Sequence, residues 1–360
     1  MSRAEDLSTF AKSLSISNNQ VSVLADNLVS THSYMFRNKI INGDMSIAQR
    51  ATPGGTAVTT GGSPVVCDRW HTFGNGFGTY ILSHSTDAPA GFANSLLIAN
   101  TVSSSASGSD HFGLQYKFEG QELQSFAKGN STAQPVTVSW YSKTTNPGVY
   151  TIELDDRDNT RSISATFSAT TTWTRHSVTF PGDTVGQLDN DNVASVHLSW
   201  WLMAGPNFTS GTLQTAWDAR TNANRVSSTN NNLSNGSSFY ITGVQLEIGN
   251  IATPFEHRPI GVELSLCQRY FIKGNAWVGP EWMTQGGNVA LPARHNFPVI
   301  MNHTPDLTNL GFTSQNGAYT HSPSFNDIYP DGFTFKAVLK AGQSAYTVHG
   351  GVIYSADAEL

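Results

Sequence analysis

The sequence is poor in charge. Only 13% of its 360 residues are Asp, Glu, Lys or Arg, and the net charge is -6. The basic residues are scattered singly, with no Lys/Arg run. That argues against nucleic acid as the main partner, because phosphate contacts need clustered positive charge. Cysteine is nearly absent: Cys67 and Cys267 are the only 2. They leave open a disulfide or two unrelated thiols, and they exclude a four-cysteine zinc site. No run approaches the ~20 apolar residues that span a bilayer, so membrane insertion is not expected. The opening "MSRAEDLSTFAKSLSIS" lacks the apolar h-region of a signal peptide. A chain acting outside its producing cell would then leave by another route, such as release by lysis within a larger particle. Chemical motifs are missing too. There is no HExxH, no close Cys/His set and no GxSxG, and "GNGFG" at Gly74–Gly78 has neither a following helix nor a lysine. Nothing supports a zinc, nucleophilic or nucleotide site.

What is present is turn chemistry and aromatic residues. With 32 Gly, 11% aromatics and 38% hydrophobic residues, the chain can bury a core and is too apolar to remain disordered. Two-residue alternation recurs every 10–20 residues between Gly/Asn/Ser/Thr turns. Phe112, Leu114, Tyr116 and Phe118 share one face. Val136, Val138 and Trp140 share another, as do Tyr150, Ile152 and Leu154, and Val196, Leu198 and Trp200. In "SSFYITGVQLEIG", Gly243 breaks the phase, which suggests a bulge. The pattern predicts an all-β fold: a jelly-roll-like antiparallel β-sandwich with a short N-terminal helical segment and a small C-terminal β domain. "NKIINGD" and "SIAQR" read as short strands around a turn. "GTLQTAWDARTNANRVSSTNNNLSNGSS" reads as an exposed loop with a helical turn at "LQTAWDAR".

The division expected is 1–32, 33–258 and 259–360, with the last boundary near Pro259. In the first segment Leu7, Leu14, Val21 and Leu28 recur at spacing seven. Phe10 and Leu24 follow three residues after members of that row, and Ser17 interrupts. This is an a/d heptad row of about three and a half heptads, marginal alone and suited to an oligomeric bundle. A surface helix with accidental spacing is the alternative.

Candidate functional residues fall into four groups. Asp155, Asp156 and Asp158 in "IELDDRDNT" could offer oxygens to Ca²⁺, although the order is not that of an EF-hand and an Asp-rich turn is the commoner arrangement. Glu119, Glu153, Asp155 and Asp156 are the carboxylates available for glycosidic chemistry, which needs two of them roughly 5–10 Å apart. Nothing in the linear sequence pairs them. Trp200 and Trp201 are adjacent and must point to opposite faces. Trp201, and Trp217, Trp277 and Trp282 in less regular sequence, are therefore the expected glycan or interface contacts, since polyol rings stack on exposed aromatic faces. Core or interface packing is the alternative. Finally, "TPFEHRPIGVELSLCQRYF" sets Glu256, His257 and Arg258 between prolines that fix the path. With Cys267 they form an expected domain joint followed by a short helical plug, and Arg258 can pair with Glu256 or Glu263.

The segment "ITGVQLEIGNIATPFEHRPIGVELSLCQRYF", Ile241–Phe271, resembles a signature of tailed-bacteriophage virion proteins: fibre, tail or appendage proteins, often of marine or cyanobacterial phages. "NKIINGDMSIAQR" and "CDRW" resemble the start of the same domain, with Ala51 where glycine is usual and Cys67 where an aromatic is usual. "YSADAEL" resembles the usual ending. The resemblance covers roughly Asn38 to Phe271. It implies a sandwich like a carbohydrate-binding module, trimeric assembly, other phage tail, baseplate or capsid proteins as partners, a virion location and contact with host-surface polysaccharide. It implies no catalytic residues and no cofactor. A capsid decoration or tail accessory protein without a receptor, and a glycan depolymerase or esterase, are the alternatives.

Overall fold

The computed structural model describes residues 36–59, 61, 66–102, 106–278, 290–314, 324–338 and 350–360. The heptad segment lies outside them. The described residues form a jelly-roll-like antiparallel β-sandwich of two six-stranded sheets, followed by a smaller β unit. The first sheet runs β1 (Thr56–Val58), β3 (Thr79–Ser85), β4 (Ser95–Val102), β12 (Ser238–Ile248), β6 (Val136–Thr144) and β9 (Thr174–Phe180). The second runs β11 (Asp218–Ala219), β8 (Arg161–Ala169), β7 (Gly148–Asp156), β10 (Ala194–Ala204), β5 (His111–Glu119) and β2 (Trp70–Asn75). The chain passes repeatedly from one sheet to the other, so both inner faces are built from residues distant in sequence.

Those inner faces are the alternating positions read from the sequence. Trp70, Tyr116, Trp140, Ile152, Leu198 and Trp200 are all fully buried. The aromatic rings meet edge to face: Trp70 and Tyr116 at 5.5 Å and 70°, Trp140 and Trp200 at 5.8 Å and 78°. This geometry opposes a positive ring edge to a negative ring face and adds about 0.5–1.5 kcal/mol per pair beyond burial.

β12 carries the bulge that Gly243 suggested. Its pairing with β6 shifts register between Thr242 and Gln245, and Gly243 has φ +62°. A Cβ there would lie 2.6 Å from the Phe92 ring and 3.0 Å from Tyr141. Glycine is thus required both by backbone conformation and by the rings lying on it.

Three local expectations are corrected. "NKIINGD" and "SIAQR" form no regular strands. Residues 38–43 instead run beside the bulge, with Lys39 N donating to Leu246 O and Val244 N to Gly43 O. "LQTAWDAR" is not helical and contains β11. The long polar segment around it is no freely exposed loop: Val226 and Leu233 are buried, because the segment lies over the second sheet.

The proline-framed stretch leads into a nine-residue helix, Ile260–Gln268, which buries Glu263 and Cys267. The C-terminal unit follows as two three-stranded sheets. One is β13 (Phe271–Val278), β18 (Gly350–Asp357) and β15 (Asp306–Ser314). The other is β14 (Ala290–Asn296), β17 (Gly332–Val338) and β16 (Ser324–Tyr329). It has its own core around Phe333, Phe335 and Tyr354. Its last residues return to the sandwich. Ala358 N donates to Tyr270 O, Leu360 packs on the sandwich core, and Lys117 Nζ donates to Leu360 O.

Candidate functional site

The outer face of the first sheet carries a shelf of half-buried aromatic rings. In β12, Phe239 and Ile241 point inward, so Tyr240 points outward. Across the sheet it pairs with Lys143 of β6, and Trp173 lies just before β9. Trp173 and Tyr240 meet at 6.2 Å and 72°. Lys143 Nζ sits 4.7 Å from the Tyr240 ring centre and 5.6 Å from that of Trp173. Asp87 holds the group together. It accepts a hydrogen bond from Trp173 Nε1 at 3.0 Å and another from Lys143 Nζ. The Lys143 and Trp173 hydrogen bonds hold its carboxyl below the usual range. The Asp87 side chain stays 45% exposed, so its carboxylate is open to ligand hydroxyls as well.

The shelf continues past the bulge. Phe92 packs against Tyr141 at 5.3 Å, Phe255 at 5.1 Å and His257 at 5.3 Å. His257 thus joins the shelf. Glu256 and Arg258 point elsewhere. Glu256 accepts from Phe36 N at 2.7 Å and Asn38 N at 2.8 Å. Arg258 donates to Ile40 O at 3.1 Å and to Asn38 O, and it lies 3.3 Å from Glu263 and 3.7 Å from Glu256. These contacts tie the opening strap of the sandwich to the proline-framed stretch that follows β12. Contact with the C-terminal unit is made further along, where Arg269 binds Glu119 through Nε and Nη2, both at 3.0 Å, and also lies against Asn302. Cys267 and Cys67 are both free and buried, and burial pushes both thiols well up.

The three aspartates do not converge. Asp155 faces outward from the second sheet and is bound by Arg157, Arg220 and Arg225 at 3.1, 2.6 and 3.2 Å. Asp156 faces inward and binds Lys128. Asp158 accepts from Asp189 N at 3.0 Å. The strand's two-residue period separates the first two. The oxygens that do converge surround an ammonium: Lys128 Nζ contacts Asp156, Asp183 at 3.0 Å, Val185 O at 3.1 Å and Gly186 O at 2.7 Å. Lysine fills the place a cation would take. Among the described residues no group of three or more His, Cys, Asp or Glu is placed to hold a metal ion.

The carboxylates considered for glycosidic chemistry are likewise occupied. Glu153 is fully buried and bound by Arg225 at 2.7 and 2.8 Å. Burial pushes its carboxyl up, although Arg225 pulls against that.

The tryptophans separate clearly. Trp201 points outward from the second sheet, opposite to Trp200, but only 1% of it is exposed. Phe208 of the short helix Pro206–Thr209, Val226 of the overlying segment and Phe73 enclose it, and its Nε1 donates to Glu153 at 3.0 Å. It is part of a covered secondary core rather than a contact surface, because the chain supplies its own lid. Trp217 is half-buried at one end of the sandwich. Its Nε1 donates to Pro181 O at 2.8 Å, and Lys128 lies 5.3 Å from its ring centre. It borders a narrow apolar groove over Phe126 and Leu154. Trp277, on β13, is 61% exposed. Trp282 lies outside the described residues.

Sequence reasoning missed Trp173, Tyr240 and Lys143. The signal for Tyr240 was available: between inward Phe239 and Ile241, it had to face out. Trp173 gave none, because its position in a Thr-rich turn says nothing of the strand it reaches.

No protein-family model and no curated protein matches the chain. Among solved structures, the enzymatically active domain of tailspike protein 4 from bacteriophage CBA120 aligns over 59% of this chain at 9% identity, with a TM-score of 0.31. The alignment spans 22% of that domain's chain. A CBM4 structure aligns over 58% of this chain and 98% of its own, at 10% identity and a TM-score of 0.31. TmCBM61, solved with β-1,4-galactotriose, aligns over 59% and 99%, at 10% identity and a TM-score of 0.29.

Proposed function

We propose that this chain is a non-catalytic virion protein of a tailed bacteriophage: a homotrimeric tail or baseplate fibre that attaches to host-surface polysaccharide. The observation that carries the attachment role is the aromatic shelf on the first sheet. Trp173 and Tyr240 offer ring faces for the C–H face of a sugar, while Asp87 and Lys143 offer an acceptor and a donor for its hydroxyls. A few fixed polar groups among aromatic rings is the composition that orients a polyol. The virion role rests on the resemblance of Ile241–Phe271 to phage appendage proteins. Three copies would turn weak sugar contacts into firm adhesion by raising effective concentration. The ion-paired state of Glu119, Glu153, Asp155 and Asp156 supports the non-catalytic reading.

The test is binding of purified protein to host-derived polysaccharide. Trp173→Ala and Tyr240→Ala are each expected to weaken it about tenfold, a typical cost for truncating an aromatic anchor, with unchanged thermal unfolding. Full binding by the double variant would remove the shelf from the mechanism. New reducing ends or released acyl groups during incubation would overturn the non-catalytic assignment.

A further inference from the structure

We infer that the shelf selects an acidic sugar, one bearing a carboxylate, and that Arg175 is the residue that selects it. This rests on the shelf being a glycan surface, and it adds the ligand's charge.

The argument starts from ion pairing. Every other arginine in the described residues lies within 4.0 Å of a carboxylate oxygen. Arg175 has no acidic partner among them. In a chain of net charge -6 with acids to spare, this leaves one uncompensated guanidinium, and its position is on the shelf. Arg175 pairs in register with Tyr141 of β6. Its neighbour His176 turns inward to stack on Trp140 at 5.3 Å, so Arg175 faces out on the same side as Tyr141. It is also two residues from Trp173 in the chain.

The guanidinium is held rather than loose. Nη2 donates to Thr253 O at 2.5 Å and approaches Ser139 Oγ at 3.5 Å. Nε and Nη1 have no protein partner among the described residues, so three N–H donors remain for a ligand. The other charges of the shelf cancel: Lys143 with Asp87, and Arg37 with Glu247 at 3.8 Å. A neutral sugar would use only the rings and the Lys143–Asp87 pair. A carboxylate two strands away from Tyr240 would add a charge-assisted hydrogen bond to Arg175, stronger than a neutral one. It would be drawn to a locally positive spot on an acidic molecule.

The test uses alginate, polygalacturonate and hyaluronate, each beside its carboxyl-reduced, neutral form, and reads the affinity ratio within each pair at low ionic strength. The wild-type chain is expected to prefer at least one acidic form by about fivefold or more. Arg175→Gln is expected to bring that ratio close to one, and Arg175→Lys to keep part of it. Trp173→Ala is expected to weaken both forms while leaving the ratio in place. Equal wild-type affinity for both members of every pair, or a preference unchanged in Arg175→Gln, would overturn the inference and leave the shelf standing. Binding to no polysaccharide in either form would overturn both.

Discussion

Residue by residue, ten of the eleven described arginines are paired with carboxylates, and Lys128 shows what such pairing means in a buried place. Its ammonium sits among two carboxylates and two carbonyls, with its side chain only 6% exposed. Removing one partner of a buried ion pair leaves an uncompensated charge and costs about 3–5 kcal/mol. Lys128→Ala is therefore expected to lower the urea midpoint substantially. Because the emptied site retains four convergent oxygens of the kind Ca²⁺ prefers, millimolar Ca²⁺ is expected to recover part of the loss in the variant and to leave the wild-type midpoint unchanged. Equal Ca²⁺ responses in the two proteins would show that lysine does not stand in for a cation. The same residue explains why "ELDDRDN" is misleading as a metal motif. Its acidic density is real, but Asp155 and Asp156 serve opposite faces of one strand, each with its own cations.

At the scale of elements, strands β9 and β10 each carry a histidine into a poorly solvated position. Burial lowers His176 to about 4 from an ordinary value of 6.5. His197 is lowered to about 3, first by burial and then by the nearby Lys117 and Arg157. Both are neutral when folded, while the unfolded chain protonates them below about pH 6.5. The unfolded state then binds more protons, so stability falls as pH drops from about 6.5 toward 4. His176→Phe keeps an aromatic ring against Trp140 without a titrating group. It is expected to flatten this dependence measurably in urea melts across that range, with His197 and the other histidines lowered by burial, His71, His111 and His295, contributing to what remains. An unchanged slope would assign the acid sensitivity elsewhere.

For the whole molecule, the decisive contact is the return of the chain end. Glu359 is bound by Arg69 at 2.6 Å and Arg50 at 3.2 Å, with His71 Nε2 at 3.4 Å. Burial alone would raise its carboxyl, but Arg69, His71 and Arg50 hold it far below the ordinary range. Its contribution is therefore present above about pH 4.5 and lost in acid. With the helix Ile260–Gln268 at one end and residues 358–360 at the other, both ends of the C-terminal unit are fastened to the sandwich. Deleting 358–360 is expected to make the β13–β18 unit protease-sensitive at neutral pH while the sandwich persists as a resistant fragment. Glu359→Gln, which keeps the shape and removes the charge, is expected to do so partially. If both variants resist proteolysis like the wild type, the end contact is dispensable. The proposed trimer has its own test: oligomeric mass of the full chain beside a version lacking residues 1–32, with a trimer expected for the first and a smaller species for the second.

The sequence by itself determined the all-β class, the inward row of each major strand, the bulge at Gly243 and the opposed faces of Trp200 and Trp201. All of these follow from a two-residue period and from backbone sterics, which act over a few neighbours. Only the tertiary structure decided what lies over each outward face. It put a lid on Trp201, left Trp173 and Tyr240 half-exposed, set Arg175 apart from every described acid, and brought Glu359 back to Arg69 across 290 residues. Those outcomes depend on which distant segments cross a given strand, and local periodicity carries no record of that.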